Sequence, residues 1–128
     1  MYKVEKTADT LFRGVDNMMN GAKEDYIKMS TVGGKELSGY SKERVESWDD
    51  VTKVRVGQKY IKIGRVSDHS SGRMGQVWGF VVNTDTDSKF KKGDLLKAAG
   101  FNAPARNAAR GNVLEGGFGI RWTGPLYL

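Results

Sequence analysis

Cysteine is absent from the 128 residues, histidine occurs once and proline twice. Without cysteine there is no disulfide, no thiol nucleophile and no thiolate zinc site, and a reducing compartment is allowed. The lone histidine, His69, excludes His-rich metal clusters and paired-imidazole chemistry. No apolar run approaches the roughly 20 residues of a membrane helix, and MYKVEKTADT lacks the apolar core of a signal peptide. No Pro-rich linker, repeat or low-complexity stretch divides the chain, and its length suits one domain of about 100–150 residues. What remains is a soluble, basic domain, expected inside a cell and without a cofactor.

The charge is unevenly spread. The net charge is +6, yet residues 1–50 hold eight basic and ten acidic side chains, whereas residues 51–128 hold thirteen and five. The basic excess therefore belongs to the second part of the molecule, and an anionic partner is expected there.

The pattern of apolar residues predicts the elements. Leu11, Phe12, Val15, Met18 and Met19 have helical spacing, with Asp9 or Thr10 as cap and Gly21 as the expected end. Residues 26–32 suggest a short strand before Gly33-Gly34, and Ser41 is placed to cap a helical turn within 41–50. KVRV (53–56) and KYIKIGRV (59–66) predict a tight hairpin, and QVWGFVVN (76–83) a central strand. Short helices are expected over 93–100 and from Asn102 to Gly111, the second with Pro104 in its first turn. GIRWTGPLYL closes the sheet. Strands and helices do not alternate regularly, so the expected class is α+β. It would be a single small domain of mainly antiparallel sheet, with an N-terminal helix and two short helices before the last strand.

Residues 51–66 carry Lys53, Arg55, Lys59, Lys62 and Arg65 and no acid. Alternate residues of a strand share a face, so cations interleaved with Val and Ile make a basic face over an apolar one. Such a face can track phosphates, with Tyr60 stacking on a base; the plainer alternative is a solvated face with edge-protecting lysines. The strand at 76–83 fits part of the RNA-binding strand pattern of the RNA-recognition motif at Trp78, Gly79, Phe80 and Val81, but not at Gln76, Val77 or Asn83. Trp78 is thereby a candidate stacking residue, although Trp78, Phe80 and Val82 on one strand face would equally make core.

The segment 93–112 permits two uses. Gly100, Phe101 and Asn102 match the turn of a helix-turn-helix, while Leu96 and Arg106 depart from its packing positions. Alternatively, Arg106, Asn107 and Arg110 on one short helix bind phosphate, which would relieve the repulsion between arginines at i and i+4. The competing structural role is a salt bridge from one of these arginines to an acid such as Asp49 or Asp50.

Catalytic signatures are weak, and the residues lean away from an enzyme. TVGGKEL lacks the first Gly and the Ser/Thr of a phosphate loop, and DTDSKFKKGDLL lacks the ligands and terminal Glu of a calcium loop. Gly72-Arg73-Met74-Gly75 has the G-x-x-G spacing of a KH clamp but lies between expected strands, leaving Arg73 as one more phosphate candidate in a loop. His69 has no identifiable partner for general-base work. Asp49-Asp50 with Asp85 or Asp87 could hold magnesium only if the fold brings them together.

KKGDLLKAAG (91–100), NAPARNAARGN (102–112) and WTGPLYL (122–128) resemble a family of small uncharacterised proteins of tailed bacteriophages, over about the last third of the chain. That resemblance implies an accessory protein acting in the cytoplasm of an infected bacterium, in host takeover or anti-defence, and brings no catalytic residues. The leading expectation is a binding protein that engages DNA or RNA through the basic hairpin and the Arg-bearing helix. A sponge for a small phosphorylated nucleotide, and an inhibitor or virion subunit docking on an acidic protein of host or virion, are the alternatives. Oligomers are allowed, and no membrane partner is expected.

Overall fold

In a computed structural model describing residues 1–68 and 72–127, Thr10 caps the first helix. Its side chain accepts a hydrogen bond from the Arg13 N–H at 3.1 Å, and α1 runs Leu11–Ser30. The helix does not stop at Gly21, and residues 26–30 continue it instead of forming a strand. Val15, Met18, Met19, Ala22 and Tyr26 keep one buried stripe, so the apolar face carries the helix past the glycine. Gly21 is there because the Tyr2 ring lies where a Cβ would point. Gly33 and Gly34, with φ of 76° and 80°, turn the chain beyond the helix.

Two short helices follow, α2 (Gly39–Glu46) and α3 (Trp48–Val51). Ser38, not Ser41, holds the cap position of α2, and the Ser41 hydroxyl donates to the Ser38 carbonyl at 2.9 Å. The expected hairpin is present as β2 (Thr52–Val56) and β3 (Tyr60–Asp68), with Val56 opposite Ile61. The central strand is present as β4 (Arg73–Val82), antiparallel to β3.

The two helices expected between 93 and 111 do not form. Asp94–Leu96 is a strand, β5, paired with β4, and Gly111–Asn112 is β6 beside it. Leu95 and Leu96 point to opposite faces of the sheet, and each is fully buried in a different apolar cluster. A strand buried on both faces gives a continuous apolar run, which a sequence pattern does not separate from a helical turn. Residues 97–110 loop back over the sheet: Ala98 bridges Pro104, and the Ala105 N–H donates to the Lys97 carbonyl at 2.7 Å.

The five-stranded sheet has the order β2-β3-β4-β5-β6. A second sheet joins β1 (Tyr2–Val4) to β7 (Phe118–Arg121) and β8 (Gly124–Pro125), all antiparallel. The main core packs α1 and Trp48 against Ile61, Ile63, Trp78, Val81, Leu95 and Ile120. On the outer face of the five-stranded sheet, Phe80, Val82, Phe90 and Leu96 form a second cluster with Tyr60, Ala98 and Ala109. Burying each such large apolar side chain contributes about 1.5–3 kcal/mol. The fold class is therefore α+β, with antiparallel sheets and an N-terminal helix. Among the described residues no helix is long and apolar enough to cross a membrane.

Candidate nucleic-acid interface

The pairing of β2 with β3 sorts the hairpin cations. Arg55 stands directly opposite Lys62 and Lys53 opposite Gly64, so Lys53, Arg55 and Lys62 share the outer face with Tyr60. Arg65, opposite Thr52, belongs to the inner face with Ile61 and Ile63, and its guanidinium lies 4.2 Å from the Trp48 ring centre. The single basic face predicted for 51–66 therefore loses Arg65 to the other side. Lys59 lies in the exposed turn, where its carbonyl accepts from the Asn83 N–H at 2.7 Å.

Lys62 is the buried member of the outer set, 9% exposed. Its ammonium sits 3.5 Å from the centre of the Phe101 ring and donates to the Asn102 side chain at 3.3 Å. Burial, and secondarily the Arg55 charge, pull its pKa below the ordinary lysine value. Among the described residues no ion pair involves Lys53, Arg55, Lys59 or Lys62. Phe101 is 47% exposed, so an aromatic ring stands beside an unneutralised cation cluster. Phe101 was legible in the sequence only as part of a helix-turn-helix turn, a role excluded by the absence of both helices.

Several predicted contacts are already committed. Trp78 is 5% exposed and its indole N–H donates to the Trp122 carbonyl at 3.0 Å, so it is core and not a stacking platform. It no longer shares a face with Phe80, because Ile63 pairs with Gly79 and Gly64 with Val77, leaving Trp78 as the extra residue of a β-bulge. Tyr60 is half-buried; its hydroxyl accepts from Arg106 at 2.5 Å and its ring meets Phe80 edge-on.

Arg106 sits in coil instead of on a helix and forms the ion pair of the structural alternative, with a different acid. It grips Asp87 with both terminal nitrogens, at 3.0 and 2.8 Å, and Asp87 also accepts from the Lys89 and Phe90 N–H groups at 2.9 Å each. The carboxyl is thereby held far below its ordinary value, chiefly by Arg106, and the guanidinium correspondingly above its own by Asp87. Asn107 is exposed, and its carbonyl shares the Lys89 ammonium with that of Arg106. Arg110 is half-buried and donates to the Ala108 carbonyl at 2.8 Å. Arg73, the first residue of β4, lies at the end of β3 remote from the Lys59 turn. His69, with Ser70 and Ser71 of the same loop, lies outside the described residues.

The Arg106–Asp87 clamp pins the 97–110 segment onto the sheet, which yields a pH-dependent expectation. A carboxyl whose pKa is depressed in the folded state contributes stability above its unfolded pKa of about 3.9, and that contribution fades as pH falls toward the folded value. Asp87→Asn should melt several degrees below the parent from pH 5 upward, with the gap closing below about pH 4. Thermal melts between pH 2 and 7 check this; a gap undiminished at pH 2 would remove the charge from the explanation.

The magnesium arrangement also fails to assemble. Asp49 pairs with Lys23 and Asp87 with Arg106, and no cluster of three metal-binding acidic or His side chains occurs among the described residues. The TVGG segment ends in a 3-10 turn with no following helix start of phosphate-loop type, and Arg73–Gly75 of the G-x-x-G spacing already lies within β4. What the fold assembles is an outer face carrying Lys53, Arg55 and Lys62, with Lys59 in the adjoining turn and with Phe101 and Asn102 laid against Lys62 by the returning segment. It can attract phosphates and present one ring to a base. No protein-family model, curated protein or solved structure matches the chain.

Proposed function

We propose that the chain is a non-enzymatic binding module that engages single-stranded nucleic acid on the outer face of the β2–β3 hairpin. The observation that carries this is Arg55 opposed to a nearly buried Lys62, with no acid paired to either among the described residues. Like charges directly across a strand pair are destabilising, and a bound phosphate relieves them. Lys53, Arg55, Lys59 and Lys62 contact phosphates, and Phe101 stacks on a base. Arg106, Tyr60 and Asp87 fix the segment that carries Phe101. An accessory role in host takeover or anti-defence, in the cytoplasm of an infected bacterium, is part of this proposal, as the resemblance noted for residues 91–112 and 122–128 would imply.

Fluorescence titration with single- and double-stranded oligonucleotides at several salt concentrations tests the proposal. Binding should fall steeply with salt and favour the single strand, and Phe101→Ala should cost about 1–3 kcal/mol on single strands with little effect on the duplex. Absence of binding at low salt, or binding indifferent to salt, would sink it.

A further inference from the structure

On the inner face of the sheet, away from the hairpin patch, a second pair of cations converges. Arg65 is 9% exposed and stacks on Trp48; its terminal nitrogen donates to the Trp122 carbonyl at 3.3 Å, an oxygen that also accepts from the Trp78 indole. Arg44 of α2 approaches the same residue from the other element. Its guanidinium lies 4.8 Å from the Trp122 ring centre, against 5.8 Å for Arg65, and donates to the Tyr40 hydroxyl at 3.2 Å. Two hollows of about 360 and 270 Å³ open here, and both are lined by Tyr40, Arg44, Arg65 and Gln76.

A guanidinium has five N–H donors, and a charge taken out of water is costly unless an anion meets it. Among the described residues neither arginine has an ion pair. The nearby Asp25 is spoken for: one oxygen accepts from the Trp122 N–H at 2.9 Å, and the other meets the terminal ammonium of Met1 at 3.0 Å. Glu43 lines only the 270 Å³ hollow. The groove thus holds two positive charges facing polar space, one of them nearly buried and fixed by an indole ring. Two planar guanidiniums, each able to offer paired N–H donors to two oxygens, match the charge of a phosphate dianion, whereas one carboxylate would balance only half of the charge. Tyr40, 71% exposed at the mouth, offers a flat ring to whatever the phosphate carries.

We propose that this groove binds a phosphomonoester of mononucleotide size, the phosphate between Arg44 and Arg65 and the base against Tyr40. The site shares no residue with the hairpin patch, so either can fail without the other. Isothermal titration calorimetry at low salt, on the full chain, uses AMP, adenosine, inorganic phosphate and an oligonucleotide with or without a 5′ phosphate. AMP should bind saturably at one site, adenosine should not, and Arg44→Gln should weaken AMP roughly tenfold or more with its circular dichroism unchanged. Lys53→Gln with Arg55→Gln should leave AMP binding intact. A strand end as the natural source is indicated if the 5′-phosphorylated oligonucleotide competes with AMP and the unphosphorylated one does not; a free nucleotide is indicated if neither competes. No saturable AMP binding at millimolar concentration, equal binding of adenosine, or AMP affinity unchanged in Arg44→Gln would each overturn the proposal.

Discussion

Substituting Lys53, Arg55 and Lys62 together by Gln is expected to weaken single-stranded oligonucleotide binding by on the order of 100-fold at 50 mM salt, as each lost charge removes one phosphate contact. It should also flatten the dependence of log K on log salt. Each single-strand phosphate contact contributes about 0.7 to that slope, so three lost contacts remove about 2. The two readouts together separate a phosphate-binding surface from a generally basic one, because deleting remote charges lowers affinity without changing the slope by the predicted amount. A thermal melt of the triple variant checks that it is folded, since Lys62 contacts Phe101 and Asn102, and the double variant Lys53→Gln/Arg55→Gln, which keeps Lys62, is measured alongside. Arg55 faces Lys62 across the strand pair, and its charge helps to pull the Lys62 pKa down. Removing Arg55 relieves that repulsion, so the double variant should melt no lower than the parent. A triple variant that keeps the parent's slope would move the phosphate contacts off the hairpin.

The hairpin was legible because two properties coincide there: β-branched residues at period two, and a short turn between them. The register, which residues 53–66 do not state, decides that Lys62 joins Lys53 and Arg55 while Arg65 turns inward. Arg106 had the right chemistry and the wrong setting. Its affinity for a carboxylate was foreseeable, but Asp87 lies only 19 residues away along a segment whose path depends on β5 being a strand. The Ala-rich stretch 103–109 has helical propensity, yet Leu95 and Leu96 each fill a separate core, and tertiary burial outweighs local preference. Phe101 and the Arg44–Arg65 groove depend on contacts between distant elements, so no local pattern could reveal them. The bulge at Trp78 is a similar case: one unpaired residue moves the indole from the Phe80 face into the main core.

The same dependence on close approach governs Gly14. At an ordinary helix position, replacing Gly by Ala stabilises by about 1 kcal/mol. Here the sign should reverse. A Cβ on Gly14 would stand 2.5 Å from the Val113 carbonyl oxygen and 2.9 Å from the Val113 Cβ. That backbone has little room to yield, since the Val113 N–H is bonded to the Gly93 carbonyl at 2.9 Å and the Leu114 carbonyl accepts from Ala8, also at 2.9 Å. The Asn112 side chain further ties down the N–H groups of Leu114 and Glu115. Overpacking of a rigid site costs about 1–3 kcal/mol or somewhat more, so Gly14→Ala should lose about 1–2 kcal/mol net in urea denaturation. Gly100→Ala is the matched comparison, because nothing lies within 4 Å of its Cβ position, and it should be close to neutral. Helix α1 seats Tyr26 against Trp48 and Trp122, the two rings that hold Arg65. A helix pushed off Val113 should therefore also loosen the inner groove, and Gly14→Ala should lose AMP affinity while hairpin-dependent oligonucleotide binding persists. Stabilisation by Gly14→Ala would mean that α1 does not approach residue 113 this closely.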